Sequence, residues 1–264
     1  MTVARLRFLI DRYHKALDRH HTALVLIALC LLIASASITA QLVAALPLKT
    51  HGFLDRPILA LEIPRSDREL YSLAPRPSLH VWRAILKWDI PFIAGYVLLF
   101  FALWLPDPRA HTNDSPWGSG IWQSVVASAI AMGFVDCWED IAAFVCLGRI
   151  ERDVKLAGSR AFTALPVLGT IKWLLFFLAC RALALQYRDR SRRWYWIGAG
   201  LRALTTTGFC ATVIAFFGLP GRPVIAFTGT MSAVLLLAAA VTRLFPEKAA
   251  MEPIGPPASA AAVT

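Results

Sequence analysis

The stretch TALVLIALCLLIASASITAQLVAALPL, Thr22 to Leu48, contains no Asp, Glu, Lys or Arg. A run of about 18 or more apolar residues with few charges reads as a helix long enough to cross the hydrocarbon core of a bilayer. The residues ahead of it are basic, with Arg5, Arg7, Arg12, Lys15 and Arg19, and Leu6, Ile10, Tyr13 and Leu17 recur there at helical spacing. Residues 1–21 therefore read as a basic cytoplasmic amphipathic segment, either lying on the membrane surface or serving as a plain positive flank of the first span. A basic flank, an apolar stretch and the small residues Ala34, Ser35 and Ala36 also resemble a signal peptide. The run outlasts a signal core of about 7–15 residues and continues through Leu42 and Leu46, so it is read as an uncleaved span.

Working outward, five further apolar runs follow: about Ile90–Leu105, Ile121–Leu147, Thr163–Leu183, Ile197–Leu219 and Val224–Leu244. Pro106, Pro108, Pro220, Gly221 and Pro223 punctuate their ends. The predicted fold is all-α, a polytopic transmembrane helix bundle of about six spans occupying residues 22–244. Residues 49–88 form its longest polar connection, read as an external loop with seven Lys/Arg and four Asp/Glu. The end of that loop, Leu79–Val81–Trp82–Ile85–Leu86–Trp88, reads as an interfacial helix leading into span two, with tryptophans at aromatic-belt depth. Residues 245–264, rich in Pro and Ala, read as a disordered tail.

Composition agrees. The chain is 57% hydrophobic and only 17% charged, against about 25% charged in a soluble domain. Its formal net charge of +10 suits cationic helix ends meeting a bilayer and its anionic lipid head groups better than nucleic acid. The partners expected are therefore the lipid bilayer, with its anionic head groups at the basic cytoplasmic segments, and other membrane proteins; nucleic acid is not expected. Cys30, Cys137, Cys146, Cys180 and Cys210 all lie in apolar stretches without a C-x-x-C pair, which argues against a disulfide framework or zinc site. The six histidines lie outside the central parts of the spans, which argues against a haem held between helices. No cofactor and no metal is expected.

Orientation follows from Lys and Arg. The N-terminal cluster and a second one, Arg181, Arg188, Arg190, Arg192 and Arg193, are separated by four spans and so share a side. Placing both inside puts both termini in the cytoplasm and the 49–88 connection outside. Cysteines at Ser72 and Ser191 check this in intact cells. An impermeant thiol reagent is expected to label position 72 alone, and labelling of 191 but not 72 overturns the topology.

Span three carries Asp136–Cys137–Trp138–Glu139–Asp140. Positions 136, 139 and 140 are spaced i, i+3, i+4, so three carboxylates share one helix face. Ala129, Gly133 and Ala143 lie on or near that stripe, and small residues allow a neighbouring helix close approach. Span four carries Lys172. Asp136 lies 11 residues before Leu147 and Lys172 nine after Thr163, so both sit roughly 13–17 Å from the same face of an antiparallel pair. A charge at the bilayer centre costs at least about 2.5–3.5 kcal/mol, so pairing of Lys172 with Asp136 or Glu139 is expected. One lysine does not neutralise three acids. At least one of Asp136, Glu139 and Asp140 should hold a proton, reach another cation or touch water. Asp89, near the start of span two, lies toward the same face and adds a fourth acid. Arg202 is read as snorkelling to the interface, and Thr205–Thr207 as bonding back to their own helix.

The motifs that would name an enzyme are missing: there is no H-E-x-x-H, no G-x-S-x-G and no phosphate-cradling G-x-x-x-x-G-K-[ST]. Asp136-x-x-x-Asp140 resembles the second half of the CDP-alcohol phosphotransferase signature, but the D-G…A-R half is absent. Three other pieces carry a resemblance between Leu59 and Ala179. They are Leu59–Ala60–Leu61–Glu62 with Arg65–Ser66, Trp88–Asp89–Ile90–Pro91–Phe92 with Tyr96, and Asp136-x-x-Glu139–Asp140 with Lys172. Together they resemble a family of uncharacterised bacterial integral membrane proteins with an external L-x-L-E segment and an intramembrane D-x-x-E-N … K cluster. Asp140 stands where that family has asparagine. The resemblance implies a multi-pass protein of the bacterial cytoplasmic (inner) membrane with a shared polar cluster, and implies no activity. Three roles are open to such a chain. It is an accessory or scaffold protein for other membrane proteins, a small proton- or ion-coupled transporter, or a lipid-modifying enzyme.

Overall fold

The computed structural model describes residues 3–46, 57–104, 120–187 and 192–245. Every regular element among them is helical. α1 is Val3–Ala44, α2 Pro57–Glu62 and α3 Asp67–Leu73, followed by a single 3-10 turn at Arg76–Ser78. The long helices α4 (Leu79–Trp104), α5 (Gly120–Glu151), α6 (Arg160–Gln186), α7 (Arg192–Phe216) and α8 (Arg222–Leu244) complete the bundle.

Five of these helices are long and apolar enough to cross a membrane, over His20–Ala44, Arg76–Trp104, Arg160–Leu185, Arg193–Phe216 and Arg222–Leu244. α5, the helix read as span three, is 32 residues long and packs between α4 and α6. Its two faces are inverted relative to a water-soluble helix. Phe134, Trp138, Ile141 and Val145 are exposed, while Asp136 and Glu139 are only 4% and 3% exposed. Water would reward the opposite arrangement; a lipid surround rewards this one. The class is a multi-pass helical membrane protein.

Long-range contacts define the two ends of the bundle. At one end, Arg83 donates to Glu151 at 2.6 Å, Arg76 pairs with Asp153, and Arg222 donates to Glu69 at 2.6 Å. At the other, His21 Nε2 lies 2.7 Å from the Ala102 carbonyl and Arg243 donates to the Leu103 carbonyl at 3.1 Å. Successive long helices are therefore antiparallel. The small residues of α5 act as expected: Ala129 and Ala143 are 2% exposed, and a Cβ on Gly133 would sit 3.0 Å from Val97 of α4.

The helices fix two boundaries that the sequence left open. α1 runs unbroken from Val3 through the 21/22 boundary, so residues 3–21 continue the first span as one helix and do not form a separate element. The stretch Leu79–Trp88, read as an interfacial helix, is the first part of α4, with Leu79, Trp82, Ile85 and Leu86 packed into a core with Leu70, Leu147 and Leu165. The tail 246–264 lies outside the described residues, as do Pro106 and Pro108.

The described part of the 49–88 connection, residues 57–88, packs into the bundle. Leu59, Ala60, Leu61 and Ile63 are all buried, and α2 packs against α5, α6 and α8. Gly169 of α6 permits this approach, since a Cβ there would lie 2.6 Å from the Glu62 carbonyl oxygen. Irregular backbone inside a membrane bundle survives only where protein satisfies it. Here Arg222 Nη1 donates to the Ile63 carbonyl at 3.4 Å, and Ser66 caps α3 by accepting from the Glu69 amide at 3.1 Å.

Candidate functional site

Lys172 lies 12 residues into α6, roughly 18 Å along it from Arg160. It is 8% exposed. Its Nζ meets three carboxylates: Glu62 Oε1 at 2.7 Å, Glu139 Oε2 at 2.8 Å and Asp136 Oδ1 at 3.0 Å. An ammonium has three N–H donors, so these three acids match its whole capacity. The expected pairing of Lys172 with span three is present for both Asp136 and Glu139.

Glu62 is the member that sequence reasoning did not bring to the site. It arrives from α2, 110 residues away in the chain, and its second oxygen accepts from Trp173 Nε1 at 2.9 Å. Asp136 is likewise held at both oxygens, with Tyr96 of α4 donating its hydroxyl to Oδ2 at 2.7 Å. Glu62 and Asp136 are thus fixed acceptors. Charge-assisted bonds of this kind are about twice as strong as neutral ones.

The remaining acids are less well served. Glu139 Oε1 and Asp140 Oδ2 are buried without a hydrogen-bond partner. Asp89 enters from α4, and its carboxylate lies with those of Asp136 and Asp140 inside a group whose ligand atoms fall within 4.8 Å of one another. Pro91, two residues on in α4, removes the helical hydrogen bond to the Lys87 carbonyl beside Asp89. All five residues singled out from the sequence, Asp89, Asp136, Glu139, Asp140 and Lys172, therefore converge on one place. Asp136 joins the two halves: the lysine with Glu62 and Glu139 on one side, and Asp89 with Asp140 on the other.

The arithmetic of charge defines what this arrangement can do. Three carboxylates meet the one ammonium, and two more, half-buried, lie beside Asp136. Like charges a few ångströms apart in a low-dielectric interior repel far more strongly than in water. Full ionisation would leave four uncompensated negative charges at the centre of the bundle. The spacing of Asp89, Asp136 and Asp140 is within the range that carboxylates use around a hard cation, but exposed or clustered acids share such spacing without one.

This is a helical membrane bundle built around an acid-rich polar core. No protein-family model, curated protein or solved structure matches the chain.

Proposed function

We propose that this protein is a six-span protein of the bacterial cytoplasmic membrane, with α5 as the sixth crossing, whose carboxylate–lysine cluster takes up and releases protons. The class of role is that of a small proton-coupled transporter. One observation carries the reading: five acids share a buried site with a single lysine. A scaffold protein needs only a neutral core, which one acid opposite Lys172 supplies. The surplus demands protons, and groups that must share protons exchange them when their surroundings change.

The contacts of the acids support a ranking for this role. Glu139 and Asp140 were equal candidates on spacing alone. Glu139 lies 2.8 Å from the Lys172 ammonium, which partners one of its oxygens. Asp140 lies with Asp89 and Asp136, with one oxygen unpartnered, so the shared proton is assigned to the Asp89–Asp140 pair. The resemblance noted from the sequence points the same way. The family pattern has asparagine where this chain has Asp140, and a protonated aspartate presents the same neutral donor and acceptor.

Infrared difference spectra of the purified protein test this. A protonated carboxyl band is expected at neutral pH, and it should vanish in Asp140→Asn while the helical signature stays unchanged. Finding all five acids ionised across neutral and mildly acidic pH rejects the proton site. The accessory or scaffold reading then takes its place.

A further inference from the structure

The second half of the chain is almost free of negative charge. Between Asp153 and Glu247 the only acidic residue is Asp189, and α6, α7 and α8 contain none. Two of the cations in these helices are answered from elsewhere: Lys172 by α2 and α5, and Arg222 by Glu69 of α3. Arg181 and Arg202 are not. Arg181 Nη1 donates to Thr206 Oγ1 at 2.8 Å and to the Arg202 carbonyl at 3.4 Å. Arg202 Nη1 donates to the Ala184 carbonyl at 3.4 Å. The two guanidiniums cross between α6 and α7, each reaching the other's helix, and among the described residues neither meets a carboxylate.

Their surroundings are the lipid-facing side of the bundle. On α6, Leu178, Arg181 and Leu185 share a face at i, i+3, i+7, and the two leucines are 47% and 40% exposed. On α7, Tyr195, Arg202 and Thr206 share a face, with Tyr195 and Thr206 exposed. Arg202 lies six to eight residues beyond Trp194–Tyr195–Trp196, roughly 9–12 Å deeper along the helix than that aromatic belt. The sequence reading had Arg202 snorkelling outward. Its side chain instead bonds sideways to α6, and Arg181 reaches a threonine four residues deeper than Arg202.

Two adjacent arginines at this depth are costly without an anion. Each guanidinium has five N–H donors, of which the contacts above employ a single nitrogen. The ligand that fits is a phosphate, which takes arginine donors in pairs. A groove open to lipid and flanked by exposed leucines suits the phosphate of a molecule with acyl chains. We infer that Arg181 and Arg202, with Thr206, hold the phosphate group of an anionic phospholipid in the α6–α7 groove.

Native mass spectrometry of the full chain, exchanged from phosphatidylglycerol into detergent, tests this against phosphatidylcholine. Wild-type protein is expected to retain phosphatidylglycerol selectively. The double variant Arg181→Gln/Arg202→Gln should bind it roughly 25-fold more weakly, since each arginine near an anionic lipid is worth about a factor of five. Arg152→Gln, on the exposed opposite end, should leave retention unchanged. Equal retention by wild type and double variant overturns the site. If the double variant does not fold, quenching of native tryptophan fluorescence by brominated lipids decides the matter in the wild type. Stronger quenching by brominated phosphatidylglycerol than by the choline lipid is expected, and equal quenching overturns the proposal. A third arm adds inorganic phosphate to delipidated protein. Thermal stabilisation by inorganic phosphate with no preference among lipids overturns the lipid assignment in favour of a soluble phosphate source.

Discussion

Replacing Lys172 with methionine is expected to destabilise the bundle by about 3–5 kcal/mol, the range for removing one partner of a buried ion pair. The side chains are similar in length, so the loss is electrostatic and not a cavity. Glu62, Asp136 and Glu139 all lie within 3.0 Å of Nζ. Without the ammonium, the donors left to these three among the described residues are Trp173 and Tyr96. The second change decides whether the contacts carry the effect. Lys172→Met combined with Asp136→Asn should cost less than the sum of the two single changes, with a coupling of about 1–3 kcal/mol. Thermal inactivation in detergent, followed by reversible unfolding where it is attained, measures that cycle. Strict additivity at Glu62, Asp136 and Glu139 alike would show that the ion-pair geometry contributes nothing to stability.

How far this site was readable in advance depended on the background around each residue. Asp136, Glu139, Asp140 and Lys172 stand in apolar runs, where any charge is conspicuous and where rise per residue converts sequence position into depth. Three of the acids declared their common face by spacing alone, and the same arithmetic matched Lys172 to them. Glu62 had the opposite background. It sits in a connection with seven Lys/Arg and four acids, where one more carboxylate reads as solvated. The local signal was the short apolar patch Leu59–Ala60–Leu61 with Ile63 on its far side, too short to declare a span and yet entirely buried. Tyr96 and Trp173 were hidden for a related reason. In a membrane helix an aromatic residue is ordinary, and only the partner across the bundle turns its O–H or N–H into a site donor. The motifs read from the sequence touched all three segments, Leu59–Glu62, Asp89–Tyr96 and Asp136–Lys172, but gave no reason for them to meet.

The helices meet by charge as well as by shape. Every acid of the cluster comes from α2, α4 or α5, and its lysine comes from α6. The same division repeats nearer the end of the bundle, where Glu69 of α3 meets Arg222 of α8. α2 and α3 are therefore tied to the C-terminal helices by two partly buried ion pairs, their acids seven residues apart in the chain. Short helices of six and seven residues have little stability of their own. Their position depends on those ties and on the close contact at Gly169.

From this follows the second large effect, at Glu62. Glu62→Ala removes an acceptor from Lys172 and the whole acceptor of Trp173, while Lys172 retains Asp136 and Glu139. The main consequence is expected at α2 and not at the long helices. Hydrogen bonds to charged groups contribute about 1.5–3 kcal/mol each, and a loss of about 2 kcal/mol raises the open population of α2 roughly 30-fold. A cysteine at Leu61, which is 3% exposed, reports that opening. Its labelling by a small impermeant thiol reagent should be slow in the parent protein and roughly 30-fold faster with Glu62→Ala, whereas Glu62→Gln, which keeps an acceptor for Trp173, should fall between. Labelling of Glu62→Ala no faster than that of the parent would mean that α2 is a fixed part of the bundle held by packing at Gly169 and not by its ion pair.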